Sequence, residues 1–410
     1  MMLRPFKSIM PRRDLVHIVS SPPYDILEYE DVERILRKNP LSFLRITRSE
    51  VELGMKDNPY DGKVYAKARE NFERFIKDGV LLRNDEEKMF IYSLRFRGKV
   101  QIGIVATFSV DEYDLGKMKK HELTREDKEL DRVKHILTVG AHTGPVYLFY
   151  RSIKDVKDIL REILSKSDPI FSFEADGVLN EVHVIDDENA GKLVNIFEGI
   201  DSFYIADGHH RASGASKVRR MMMEKNPNHT GEEEYNYFLG VLFPHDELNV
   251  LPYNRLMRCD LDPDEMLSNL KSEFEIESID GFEEPGKGEF VVTYRWERWW
   301  RMKLKDKFTE FEDENPVETL DTFILQERVL KRIFGVENPR KDERLRFIGG
   351  LDHLERMERF VKEDGYDYGF FLHPTSVEEI MKVSDAGRIM PPKSTWFEPK
   401  LRSGIFIHPI

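Results

Sequence analysis

The residues with the most chemical potential stand together in Phe203-Tyr204-Ile205-Ala206-Asp207-Gly208-His209-His210-Arg211. One acid, two imidazoles and one guanidinium crowd around a glycine. Arg211 and a protonated histidine supply charge-assisted donors for phosphate oxygens. Asp207 is suited to hold a metal ion or to accept a proton. Gly208 lets a ligand come close to the backbone.

The flanking pattern says what positions them. The apolar run from Phe203 to Ala206 reads as a buried strand, and Asp207-Gly208 is a turn signal. From His209 onward Ala212, Ala215, Val218 and Met222 recur at three or four residues, the period of a helix. A helix start has unpaired backbone N–H groups and a partial positive charge, so it favours an anion. A plainer reading makes Asp207 the helix cap and leaves the histidines on the surface.

A second stretch is His121-Glu122-Leu123-Thr124. Thr124 with Asp127 has the spacing of a capping box, which predicts a helix over 125–137. Glu122 is not needed by that cap and remains a candidate base. Zinc-protease chemistry is excluded, because His-Glu-x-x-His would need a second imidazole at position 125, where Arg125 stands. Asp131-Arg132 follows on the predicted helix. A third stretch, Met390-Pro391-Pro392-Lys393-Ser394-Thr395, offers an ammonium and two hydroxyls to a phosphate. It lacks the glycines of a P-loop. Arg45, in an apolar segment (41–46) that reads as a strand, either faces a pocket or lies at a sheet edge.

The remaining elements are ordinary α/β material. Tyr65 to Asp78 is an amphipathic helix, and 90–96 with 100–110 spans a β-hairpin around Arg97-Gly98-Lys99. A helix over 189–196 precedes a strand over 197–206, and 251–257 and 404–407 read as further strands. The texture changes after Asp260, which divides the chain into 1–260, carrying the first two stretches, and 261–410, carrying the third. The chain has 410 residues with 40% hydrophobic and 34% charged, ample for a core in two or three subdomains. A net charge of -13 argues against a nucleic-acid binder, although a nucleotide needs only a local positive pocket. The lone Cys259 suits a reducing, cytoplasmic setting, and no apolar stretch is long enough for a bilayer.

In their order along the chain, Pro-Pro-Tyr-Asp (22–25), His-Glu-Leu-Thr (121–124), Asp-Arg (131–132), Ala-Asp-Gly-His-His-Arg (206–211) and Met-Pro-Pro-Lys-Ser-Thr (390–395) resemble the family called domain of unknown function ten-fifteen. The Asp-Gly-His-His-Arg segment is also similar to that of free serine kinases built on the ParB/sulfiredoxin-like fold. The resemblance implies a nucleotide-binding core of that type with additional α/β subdomains. It also implies transfer of phosphate from ATP or ADP to the hydroxyl of free L-serine, giving O-phosphoserine. On that basis Asp207, Gly208, His209, His210 and Arg211 would handle the phosphates, and Mg²⁺ would sit at Asp207. Glu122 would be the base. Lys393, Ser394 and Thr395 would close on the transferring group. The serine would be met by His121 and by Arg45 or Arg132. The alternative is a ParB-like protein that binds and hydrolyses a nucleotide as a regulator.

Overall fold

The computed structural model describes residues 2–306 and 315–410. The fold is mixed α/β, as expected, and the chain groups into two compact units. The first contains residues 1–119, 124–248 and 399–410; the second contains 120–123 and 249–398. This grouping differs from a single division at 260. The chain leaves the first unit after Leu248 and returns to it at Pro399, and the short stretch Lys120–Leu123 belongs with the second.

The first unit is built on a ten-stranded mixed sheet. Its strands are β1 (Leu3–Arg4), β2 (Phe6–Pro11), β3 (Leu81–Phe96), β4 (Lys99–Ser109), β5 (Met118–Lys119), β6 (Val146–Tyr150), β7 (Phe171–Ala175), β8 (Val178–Ile185), β9 (Phe203–Asp207) and β10 (Tyr237–Pro244). The spatial order is β5-β9-β6-β10-β4-β3-β8-β7, with β1 beside β4 and β2 beside β3. β3 and β4 form the expected antiparallel hairpin, while β10 runs parallel to β6 and antiparallel to β4. Every residue of β10 is buried, which is what a central strand covered on both faces requires.

Five helices matter to the site: α1 (Gly62–Lys77), α2 (Glu126–Val139), α3 (Lys154–Lys166), α4 (Asp187–Glu198) and α5 (His209–Lys225). Val156, Leu160 and Ile163 of α3, Ala190, Leu193 and Phe197 of α4, and Ala212 and Ala215 of α5 share one core with the sheet. A second core joins Ala68, Phe72 and Phe75 of α1 to Val139, Phe43, Ile46 and Ile407. α2 meets α5 through Val133, Ile136 and Val218.

The second unit holds a six-stranded sheet of β11 (Asn254–Met257), β12 (Phe274–Ile279), β13 (Glu289–Tyr294), β14 (Arg298–Leu304), β15 (Leu345–Ile348) and β16 (Tyr368–Leu372). Their order is β12-β14-β13-β16-β11-β15. Trp299 and Trp300 lie on opposite faces of β14: Trp299 packs with Met357 and Phe360 of α7 (His353–Glu363), and Trp300 with Met266 and Leu270 of α6 (Pro263–Leu270). Asp262 caps α6, accepting the N–H groups of Asp264 and Glu265. The tryptophans are thus core side chains.

Several local expectations fail for tertiary reasons. The segment 41–46 is not a strand. The Asn39 side chain accepts the N–H of Leu41 and turns the chain, and Leu44–Thr47 forms a short helix that buries Leu44 and Ile46. No capping box forms at Thr124. Helix α2 begins at Glu126 after Arg125, which gives no side-chain cap, and Asp127 pairs with Arg125 instead. Helix α4 runs through Phe197, because that ring packs on Phe203 and Tyr150, so β9 starts only at Phe203. The segment 251–257 is split, with Val250–Leu251 pairing Trp396–Phe397 and β11 pairing β15 and β16. At the C-terminal end, Ile407 makes only an isolated bridge to Ile9, and the strand is His408–Pro409 against Ala141–His142.

Candidate functional site

The strand–turn–helix at 203–211 is present. β9 pairs with β6 through Tyr204–Phe149 and Ile205–Leu148, then slips by one residue so that Asp207 faces Tyr147. Such a bulge re-aims the next side chain. Gly208 follows with φ +95, a conformation that favours glycine, and its carbonyl accepts the N–H groups of Arg211 and Ala212 to start α5. Asp207 does not cap the helix: the cap position is Gly208, and Asp207 Oδ1 accepts the Gly208 N–H at 2.8 Å.

Two cations hold the other carboxylate oxygen. Lys400 Nζ lies 3.3 Å from Asp207 Oδ2, and Arg211 Nη2 lies 3.9 Å from it. Burial pushes the Asp207 carboxyl up, but Lys400 first and Arg211 next outweigh it and hold the group well below the usual carboxylate range. Asp207 is therefore ionised at neutral pH. Arg211 also donates through Nη1 to the Pro145 carbonyl, so its guanidinium curls back over the turn. A Cβ at position 208 would stand 3.0 Å from Arg211 Nε.

The two imidazoles do different work, as adjacent helical residues about 100° apart should. His209 is buried. His210 is half-buried, and its Nε2 accepts the backbone N–H of Arg125 at 3.0 Å. That nitrogen carries no proton in this arrangement, and the contact ties the start of α2 to the start of α5.

Beside it stands a carboxylate that the sequence pattern did not single out. Glu129 of α2 is buried and accepts from the hydroxyls of Thr124 and Ser213 and from Lys217 Nζ, all at short range. Burial pushes its carboxyl up, but Lys217 and the two hydroxyls hold it down at about 2. The Thr124 hydroxyl expected to cap a helix is spent here.

One turn further along α2, Arg132 is buried and donates through Nε (3.1 Å) and Nη2 (2.6 Å) to Asp131. The other Asp131 oxygen accepts from the Tyr65 hydroxyl at 2.9 Å. The Arg132 guanidinium stacks on the Tyr24 ring, 3.8 Å from its centroid. Arg45, the other guanidinium considered for substrate, is engaged elsewhere: Nη1 pairs with Glu52 at 3.2 Å, and Nη2 donates to the Leu36 carbonyl at 2.8 Å.

The second unit carries the other named residues. Glu122 is half-buried at a bend and makes no hydrogen bond or ion pair among the described residues. His121 is buried, with Nε2 3.2 Å from Thr395 Oγ1, and its carbonyl accepts the Met390 N–H at 2.9 Å. Ser394 is buried and fixes the loop, donating to the Pro391 carbonyl at 2.7 Å and bonding Thr322 at 3.0 Å. Lys393 is exposed, has φ +56, and sets its ammonium 5.5 Å from the Tyr253 ring centroid.

No three histidine, cysteine, aspartate or glutamate side chains gather as a metal cage among the described residues. Asp207 is a lone carboxylate at a helix start. That donor set fits a magnesium ion brought by a nucleotide, which is commonly held by one carboxylate with phosphates and waters completing the shell.

The model for the family described as "Protein of unknown function (DUF1015)" matches residues 3–323. The chain belongs to that family. No curated protein matches this DUF1015 chain. Among solved structures, it is similar to a conserved hypothetical protein from Pyrococcus furiosus, at 17% identity over 74% of this chain and 95% of that one, with a TM-score of 0.38. It is similar to a free serine kinase in complex with AMP, at 18% identity over 72% and 86%, with a TM-score of 0.36. It is also similar to SbnI from Staphylococcus aureus with a C-terminal truncation, at 9% identity over 72% and 84%, with a TM-score of 0.37. Within this DUF1015 member, no described helix is long and apolar enough to cross a membrane.

Proposed function

We propose that the chain is a small-molecule kinase that phosphorylates the hydroxyl of free L-serine from ATP or ADP. The observation that carries the reading is the start of α5, where an ionised Asp207 is flanked by Lys400 and Arg211. Phosphoryl transfer asks chiefly for positioning and charge neutralisation, and this constellation supplies both. Lys400, Arg211 and the helix start would meet the phosphate oxygens. A magnesium ion held by Asp207 would supply further neutralisation of the phosphate charge. Glu122, an unengaged carboxylate, would take the proton of the serine hydroxyl. His121 would help position the acceptor, and Lys393 with Thr395 would close on the transferring group. Ser394 would act by holding that loop. Arg132 is favoured over Arg45 for the acceptor carboxylate, because Arg132 spends only Nε and Nη2, one edge of its fork, on Asp131, whereas Arg45 commits Nη1 to Glu52 and Nη2 to the Leu36 carbonyl.

The test is direct. The protein is incubated with ATP or ADP, Mg²⁺ and L-serine, and phosphoserine is sought by mass spectrometry. Glu122→Gln and Asp207→Asn should each abolish turnover in a folded protein. Full activity in both variants, or no phosphoserine with either nucleotide, would sink the reading.

A further inference from the structure

We infer that the first unit contains a small carboxylate-binding subsite between Arg132 and Arg211, next to the phosphate-handling turn and sharing Arg211 with it. These two arginines line one cavity together with Tyr24, Thr47, Thr143 and Ser403. Its free space is about 20 Å³, enough for one or two water-sized groups. A carboxylate, with two oxygens, is of that scale.

Three observations point to an anionic occupant. First, two guanidinium groups share the wall, and Arg132 uses only one edge of its fork on Asp131, through Nε and Nη2. Second, the Thr47 hydroxyl is buried and has no hydrogen-bond partner among the described residues, an arrangement that native interiors avoid unless a ligand or water completes it. Third, the cavity is kept open by the absence of a side chain: a Cβ at Gly144 would stand 3.2 Å from Ser403 Oγ and 3.9 Å from Arg211 Nη1. The histidines in the lining add no charge at neutral pH. Burial, helped by Arg132, pushes His135 down to about 3, and burial, helped by His408, pushes His142 well below its ordinary range.

Such a subsite deepens the serine-kinase reading and depends on it for the identity of the acceptor. It would hold the α-carboxylate of a small amino acid, so that only acceptors bearing a carboxylate are used. The first measurement compares L-serine with L-serinamide, which lacks the carboxylate, by calorimetry on the full chain. Serinamide should bind at least about tenfold more weakly, the scale of a lost charge-assisted contact. Thr47→Val, which keeps the shape and removes the hydroxyl, should weaken serine several-fold, and Thr47→Ser should restore it. Gly144→Ala should weaken serine while circular dichroism and the melting temperature stay as in the parent.

A second measurement separates this subsite from the kinase reading. Sodium acetate should raise the melting temperature of the parent protein above a sodium chloride control of equal ionic strength, and Thr47→Val should lose the increment. If acetate stabilises the parent in this way but no phosphoserine forms, the subsite stands and the kinase reading falls. Phosphoserine formation with equal KM for serine and serinamide would overturn the subsite alone. Equal response to acetate and chloride, or unchanged serine affinity in Thr47→Val, would show that the cavity holds water only.

Discussion

Lys400 and Asp207 stand 193 residues apart in the chain and 3.3 Å apart in the fold. The ammonium comes from the segment that re-enters the first unit at Pro399, and it is the strongest of the charges that hold the Asp207 carboxyl below its usual range. On the proposed reading, loss of Lys400 would remove from this turn a cation that meets the nucleotide phosphates and would leave the more distant Arg211 and the magnesium ion to offset them. Lys400→Met should therefore weaken ADP binding by about tenfold or more, the scale of one charge-assisted hydrogen bond. Titration calorimetry in the presence of Mg²⁺ measures it, and an unchanged dissociation constant would detach Lys400 from the site.

The Glu129 hub makes a stability prediction. Its carboxylate is buried and satisfied by Thr124, Ser213 and Lys217, so Glu129→Gln would leave Lys217 without its anion and break short contacts between α2 and α5. The expected loss is roughly 1–3 kcal/mol, read from urea unfolding. Because folding holds this carboxyl down at about 2, its contribution is fully present above the ordinary carboxylate value of about 4.3 and is lost as pH falls toward 2. The variant should show a shallower acid limb than the parent.

Gly208→Ala should be costly out of proportion to one methyl group. The backbone there has φ +95, and a Cβ would press on the Arg211 guanidinium at 3.0–3.3 Å. The left-handed conformation alone costs a non-glycine residue about 1–2 kcal/mol. Displacing Arg211 should also reduce nucleotide affinity. A variant with parental stability and parental affinity would refute this account of the turn.

The pair His142 and His408 predicts a weakness in mild acid. Both are buried, and their rings stack with centroids 5.6 Å apart where His408–Pro409 meets Ala141–His142. Burial holds His408 down at about 4, so it folds neutral. Below the unfolded value of about 6.5 the unfolded chain binds more protons. Stability is therefore fully present above that value and drains away as pH falls from about 6.5 to 4. Urea midpoints at pH 7.5 and 5.0 should differ clearly in the parent, and the difference should shrink in His408→Phe.

Local patterns carried much of this fold, and contacts distant in sequence carried the rest. The period of α5, the hairpin of β3 and β4, and the Asp-Gly turn are all encoded within a few residues, so they can be read directly. Asp207, Gly208 and Arg211 meet because they are neighbours. The segment 41–46 misleads because apolar composition alone does not distinguish a strand from a buried helical turn, and the deciding contact is the side chain of Asn39. Thr124 misleads because its hydroxyl has a better partner in Glu129, whose own partners, Ser213 and Lys217, lie on another helix. Lys400 carries no local signal at all: it follows a proline near the end of the sequence and acquires meaning only beside Asp207.

The return of residues 399–410 has a consequence for biosynthesis. A ribosome that has already delivered the Asp207 turn must add nearly two hundred more amino acids before Lys400 emerges to join it. Until then the nascent first unit lacks both that ammonium and the His408–Pro409 strand. A chain stalled after the second unit would therefore have its strand–helix turn but not the ammonium that lies nearest its carboxylate.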